Sequence, residues 1–208
     1  MTERITPSDF FRRDFELGPN THVFFTHFDL LAEVYRQAYA GFPWYEGDTV
    51  TLDVSKERLL KVASMPNFQG FVVENLFDEP IAAELFHLAT TEFLKSKSRD
   101  LESFASNLVS NESLNTIIWE NEVFVKPEYQ RNKIATLLRR ALIKYFEGSV
   151  KGGTIILTRM RDDNIGTIKA AERVGFLRTG IRKLASQQPE GWNGQLHHEF
   201  WFKIVKPK

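Results

Sequence analysis

The 208-residue sequence predicts a mixed α/β fold, a sheet with helices on both faces. Two strand–helix segments, and the order of the elements around them, carry the prediction. In the first segment Val123 and Val125 alternate with Phe124 as in a strand, and Pro127, which cannot donate to a ladder hydrogen bond, stops it. Ile134, Leu137, Leu138, Ala141, Leu142 and Tyr145 then recur at the spacing of one helical face. In the second, a short strand from Thr154 to Leu157 precedes a segment from Asp163 that reads as a helix ended by Gly175, with Phe176 opening the next strand.

The remaining elements follow in order. His22 to Thr26 reads as a first strand. Asp29 to Ala40 reads as a helix, because Leu31, Val34, Tyr35 and Ala38 share a face and Gly41 and Pro43 follow. Ser55 is a candidate cap for a helix through Ser64. Gly70 to Glu74 and Ile81 to Ala89 read as a hairpin around Asp78-Glu79-Pro80. The polar stretch 90–115 carries Leu101, Phe104, Ala105 and Leu108 at helical spacing and reads as an inserted helix. Thr116 to Val125 is the central strand, and Leu196 to Val205 a final, aromatic-rich one. With no repeat and no clear boundary, residues 1–208 read as a single domain with an N-terminal arm over 1–20.

Composition narrows the function classes. Lys plus Arg and Asp plus Glu number 27 each, so bulk attraction to nucleic acid or to an anionic membrane is not implied. There is no cysteine, which excludes disulfides, thiol nucleophiles and thiolate metal sites. The histidines have no partner at ligand spacing, so no metal is expected. The first residues form no continuous apolar run, so no membrane span or signal peptide is expected and the cytoplasm is the default location.

The first helix of the central segment begins beside Gln130, Arg131, Asn132 and Lys133. Its open first-turn amides and positive dipole end suit a phosphate or pyrophosphate. Arg139, Arg140 and Lys144, further along, read as a solvated helix face.

Two motifs, in this order along the chain, resemble those of the Gcn5-related N-acetyltransferase (GNAT) family. That family's V-x-P-x-x-(Q/R)-x-x-G-x-(G/A), which binds the pyrophosphate of acetyl-coenzyme A, reads here Val125-Lys126-Pro127-Glu128-Tyr129-Gln130-Arg131-Asn132-Lys133-Ile134-Ala135. Its N-x-x-A-x-x-x-Y-x-x-x-G-F runs here from Asn164 to Phe176. The resemblance implies a mostly antiparallel central sheet with a parallel, splayed strand pair in the middle, and acetyl-CoA as co-substrate. It implies that the backbone of Val123, Phe124 and Val125 holds the pantetheine amides. It implies further that Gln130, Arg131, Asn132, Lys133, Ile134, Ala135 and Thr136 hold the pyrophosphate, and that Asn164 contacts the pantetheine arm or a neighbouring backbone group.

Two positions depart from the family pattern. Lys133 stands where the family has a glycine that lets phosphate approach the backbone closely. Ala171 stands where the family has the tyrosine that protonates the departing thiolate. Losing a general acid costs about 10²–10⁴-fold, yet a thiol of pKa about 8.5 is a tolerable leaving group without one. A tyrosine restored at Ala171 is expected to raise turnover if space allows.

The implied reaction is direct acetyl transfer to an amine of a small molecule or peptide, and it needs a base. Glu120 and Glu122 lie on the strand that carries the thioester in this family. Strict alternation puts both on the face opposite Val123 and Val125, so either a bulge turns one toward the site or the active-site face is the glutamate face. The glutamate of the family's histone-acetylating branch corresponds to Trp119 and is not carried over. His87 is a third candidate base, or a structural histidine. Trp44, Tyr45 and Glu46 are candidates for the acceptor wall, with 186–195 as a second rim. The resemblance leaves a homodimer open, and the missing tyrosine leaves a second reading, a non-catalytic acyl-CoA-binding or sensor protein on the same fold.

Overall fold

The computed structural model of the chain describes residues 18–41, 49–149, 152–185 and 195–207. The strands are β1 (Gln69–Glu74), β2 (Pro80–Leu88), β3 (Leu114–Val125), β4 (Gly153–Arg161), β5 (Leu177–Leu184) and β6 (His197–Val205). The helices are α1 (Thr21–Thr26), α2 (Phe28–Ala40), α3 (Leu52–Ala63), α4 (Thr91–Lys97), α5 (Arg99–Glu112), α6 (Ile134–Ser149) and α7 (Ile165–Arg173). The sheet order is β1-β2-β3-β4-β6-β5. All neighbouring pairs are antiparallel except β3 and β4, which are parallel. A parallel pair needs a crossover connection, and α6 supplies it.

Each face of the sheet has its own cover. On one face α6 and α7 pack Ile134, Leu138, Leu142, Phe146 and Ile168 against Phe86, Ile118, Ile156 and Trp201. On the other, two groups of helices pack separately. Leu31, Tyr35 and Leu59 of α2 and α3 sit on Val72, Leu85 and Phe124. Leu94, Leu101 and Ala105 of α4 and α5 sit on Trp119, Leu157 and Phe200. The 90–115 stretch thus holds two helices rather than one. Thr90 caps the first, accepting from Phe93 N at 3.2 Å, and Ser98 separates them in extended conformation.

His22–Thr26 is a helix, not the expected first strand. The β1 edge that such a strand would join is occupied by two residues: Asn20 donates through Nδ2 to Val72 O (2.9 Å) and accepts at Oδ1 from Val72 N (2.7 Å), and Thr21 Oγ1 accepts from Gly70 N (3.2 Å). With both ladder groups of Val72 satisfied, the following residues are released to coil, burying Phe24 and leading into α2. Thr51, not Ser55, caps α3, accepting from Val54 N at 3.3 Å; Ser55 lies inside the helix and donates back to Thr51 O at 3.0 Å. Gly175 ends α7 in the left-handed region at φ 82°, as its position predicts. No helix among the described residues is long and apolar enough to cross a membrane.

Candidate active site

The parallel strands part company in the middle of the sheet. β3 and β4 pair from Leu114↔Gly153 to Glu120↔Thr158 and no further. Each remains paired on its outer side: β3 with β2 as far as Val125, β4 with β6 as far as Arg161. The result is a V-shaped gap lined by the inner backbone edges of residues 121–125 and 159–161. Buried backbone groups demand partners, and a ligand with amides laid along this gap would provide them. One carbonyl, that of Val125, already accepts from Gln130 Nε2 at 3.1 Å.

The gap opens toward the start of α6. A short 3₁₀ turn, Pro127–Tyr129, leads to Gln130, and Arg131 and Lys133 both adopt left-handed backbone, at φ 65° and 63°. Lys133 therefore takes the conformation that glycine adopts without strain. Asn132 Nδ2 donates to Tyr129 O at 3.3 Å, and α6 begins as Leu137 N donates to Lys133 O at 3.0 Å. The amides of Ile134, Ala135 and Thr136 form the open first turn. Left-handed and helical residues in succession make a concavity of N–H groups that suits an anion. The Arg131 and Lys133 side chains are exposed beside it, while Ile134 and Thr136 are buried.

An extra residue in β3 decides what the two glutamates do. Leu85 of β2 pairs with Glu122 and Phe86 with Glu120, so Asn121 is unmatched and the alternation shifts by one. Glu120 points to the α6 face and Glu122 to the α2 face. Glu120 accepts from Arg139 Nε (2.9 Å) and Nη2 (2.8 Å), both side chains being 1% exposed. Burial opposes its charge, but the Arg139 guanidinium outweighs burial and holds the carboxyl below its usual range. Arg139 also donates through Nη1 to Thr167 O at 3.0 Å, tying β3 and α6 to α7. Arg139 is thus a buried member of the site and not part of a solvated face, whereas Arg140 and Lys144 are exposed as expected.

Glu84 of β2 completes a buried group. Both of its carboxyl oxygens are buried, and burial together with the neighbouring Glu120 carboxylate raises it well above the ordinary carboxyl value. A glutamate inside the apolar run Ile81–Phe86 was the sequence signal for this group.

Glu122, half-buried, accepts a short hydrogen bond from the Tyr39 hydroxyl of α2. Tyr39 stacks on Tyr35 at 4.3 Å, and both line the cleft. Sequence reasoning passed over Tyr39; its place one helical turn after Tyr35 was the available signal.

His87 is 1% exposed and lies outside the cleft lining, its Nδ1 2.5 Å from Asn121 Nδ2 and its ring edge-on to Phe93. Burial and then Lys97 push it down to about 4, so it is a neutral, packed imidazole. Asn164 caps α7 by accepting from Thr167 N at 3.2 Å while lining the cleft. Ala171 is fully buried in the α6–α7 core. Trp44, Tyr45 and Glu46, and the 186–194 part of the second rim, lie outside the described residues. Among the described residues no group of three or more acidic or histidine side chains is placed to hold a metal.

These elements line one cleft of about 1030 Å³ that includes Val123–Val125, the Gln130–Thr136 turn apart from Asn132, and Asn164. Its lining holds ten lysines and arginines against two glutamates, Glu120 and Glu122. A formally neutral chain therefore concentrates positive charge where an anionic ligand would lie.

A mixed sheet covered on both faces, with a splayed parallel pair opening onto a helix N-terminus, defines the acetyltransferase class of fold. Residues 106–176 match the model of the Acetyltransferase (GNAT) family. Solved structures with the same fold include a phosphinothricin acetyltransferase from Sinorhizobium meliloti in complex with AcCoA. Its TM-score is 0.59 at 15% identity, over 86% of this chain and 84% of that one. The ribosomal-protein-S18-alanine N-acetyltransferase from Escherichia coli has a TM-score of 0.56 at 15% identity, over 87% and 90%. NAA60 from Arabidopsis thaliana, in complex with a bisubstrate analogue, has 0.55 at 14%, over 74% and 84%. No curated protein matches the chain. The resemblance read from the two motifs is borne out, and the GNAT-like fold class with it.

Proposed function

We propose that this protein is an N-acetyltransferase that moves an acetyl group from acetyl-CoA to a primary amine of a small molecule or peptide, by direct attack in a ternary complex. The observation that carries the reading is the gap between β3 and β4, ending at the left-handed turn before α6. Its chemistry fits the co-substrate: an unpaired strand edge for the pantetheine amides, and first-turn amides with Arg131 and Lys133 for the pyrophosphate. Acetyl-CoA supplies an acyl group on a good leaving group. On this reading the protein works in the cytoplasm.

Within that frame the chain's own residues divide the work. Glu122 is the base, because Glu120 is committed to Arg139 and His87 is packed away from the cleft. An alkylammonium of pKa about 10.4 must lose a proton before its nitrogen can attack. Glu122 takes that proton, directly or through one water, while Tyr39 holds the carboxylate in place. The amine nitrogen then bonds to the carbonyl carbon as the carbon–sulfur bond breaks, and the nitrogen releases its second proton to solvent to leave a neutral amide. The thiolate takes its proton from solvent, since Ala171 carries no donor.

That buried methyl at Ala171 is also what favours the second reading, an acyl-CoA-binding protein without turnover. Calorimetric titration with acetyl-CoA and with desulfo-CoA, followed by an amine screen that reads thiol release, separates the two. Binding of both ligands with turnover lost in Glu122→Gln supports the transferase. Binding without turnover of any amine supports the sensor, and absence of binding overturns both.

A further inference from the structure

Among the described residues, the two helical groups on the α2–α5 face leave the open end of the V uncovered between them. What gathers there is positive. Arg159 is the first β4 residue past the last β3 pairing, and alternation from Ile155 and Leu157 puts it on this face. Lys97 is the last residue of α4, with its Nζ 4.6 Å from the Phe93 ring centre and 5.8 Å from that of Trp119. Lys61 of α3 lies on the other bank of the cleft, and all three line it. Among the described residues none of the three has a carboxylate at ion-pair distance, although the chain pairs Lys56, Lys126, Arg161, Arg178 and Arg182 in this way.

The cluster lies on the face opposite α6, so it is separate from the Arg131–Lys133 turn. We propose that it is an acceptor subsite for an anionic group: the amine substrate carries a carboxylate or phosphate that Lys97 and Arg159 hold while its amino group meets Glu122. The inference rests on the transferase reading for the amine, but not for the anion. Electrostatics on this face agree. Burial, then Arg159, Lys61 and Lys183, lower the Lys97 ammonium, and burial with Arg159 and Arg161 pushes His198 down to about 4. A site that already resists its own protons disfavours an acceptor whose only charge is its ammonium, whereas an anion relieves the mutual repulsion of the lysines and arginine. Phe93 and Trp119 beneath Lys97 limit water around the ammonium, which strengthens a charge-assisted hydrogen bond there.

Acetylated products test the subsite without requiring turnover. N-acetyl-aspartate, N-acetyl-O-phosphoserine and N-acetyl-serinamide are titrated calorimetrically into the full chain at low salt, with and without saturating CoA. At least one of the two anions is expected to bind about tenfold or more tightly than the neutral amide, as one hydrogen bond to a charged group provides. The stronger of the two says whether carboxylate or phosphate is preferred. Lys97→Gln and, independently, the exposed Arg159→Gln are expected to erase the preference, and Lys97→Gln to leave CoA affinity unchanged. Equal binding of the amide and both anions, or a preference that survives both variants, overturns the subsite. Anion binding that depends on Lys97 and Arg159 in a protein that ignores CoA would uphold the subsite and overturn the transferase.

Discussion

Glu120 and Glu122, two residues apart on β3, face opposite sides of the sheet: one is locked to Arg139 of α6, the other is held by Tyr39 of α2. In a regular strand they would share a face. The unmatched Asn121 between them gives one carboxylate a structural task and the other a chemical one.

The two should separate cleanly on substitution. Glu122→Gln is expected to lower kcat by about 10²–10⁴-fold, the usual worth of a general base, with acetyl-CoA affinity kept. Glu120→Gln leaves the Arg139 guanidinium buried without its counter-charge and should cost about 3–5 kcal/mol of stability. Thiol-release kinetics and urea unfolding of both variants check this. Wild-type stability in Glu120→Gln would refute the structural role.

Lys133 holds a left-handed backbone that glycine adopts without penalty. Lys133→Gly should raise stability by about 1 kcal/mol. It should also keep coenzyme A binding within about tenfold, since the loop shape survives and one exposed ammonium is lost. Lys133→Ala keeps the strain and loses the charge, so it should be the less stable variant. Thermal unfolding and calorimetry of the pair distinguish loop shape from charge.

Tyrosine at Ala171 was expected to restore a proton donor if space allowed. The structure shows Ala171 with no exposure, inside the α6–α7 core. Ala171→Tyr is therefore expected to destabilise by about 1–3 kcal/mol through overpacking and to give no gain in kcat. A faster, equally stable variant would show that the core yields there.

Acid should weaken the fold through two histidines. His87 and His198 are held at about 4, against about 6.5 for an unfolded chain. Between those values the unfolded chain binds protons that the folded one refuses, so stability falls as pH drops from about 6.5 toward 4. Glu84 acts in the opposite sense. Its raised value means the folded state keeps a proton that the unfolded chain releases above about 4.3, so its contribution declines as pH rises. Urea midpoints across pH for the wild type, His198→Gln and Glu84→Gln check both slopes. His198→Gln should flatten the acid limb and Glu84→Gln the alkaline one.

Much of this was legible in the sequence because it rests on local patterns. Ile134 to Tyr145 spells a helical face, Gly175 a left-handed stop, and Pro127 a strand end, each through neighbours a few residues away. His22–Thr26 was misread because the deciding contact, Asn20 with Val72, spans 52 residues. Alternation failed at Asn121, because a bulge depends on the partner strand and leaves no composition signal in its own. Arg139 read as surface because its partner Glu120 sits on another element; only the intruding Glu84 hinted at buried charge.

The ends of the sheet carry one more consequence. Exposed strand edges recruit further strands, and sheet growth from copy to copy begins there. At the β1 edge the Asn20 side chain occupies both backbone groups of Val72, so an incoming strand finds no docking point at that residue. At the β5 edge the defence is electrostatic and geometric: Arg178, Arg182 and Lys183 would meet their own copies, and the irregularity around left-handed Gly180 breaks the flat template. Among the described residues, edge-to-edge strand pairing is thus disfavoured at Val72 on one end of the sheet and around Gly180 on the other.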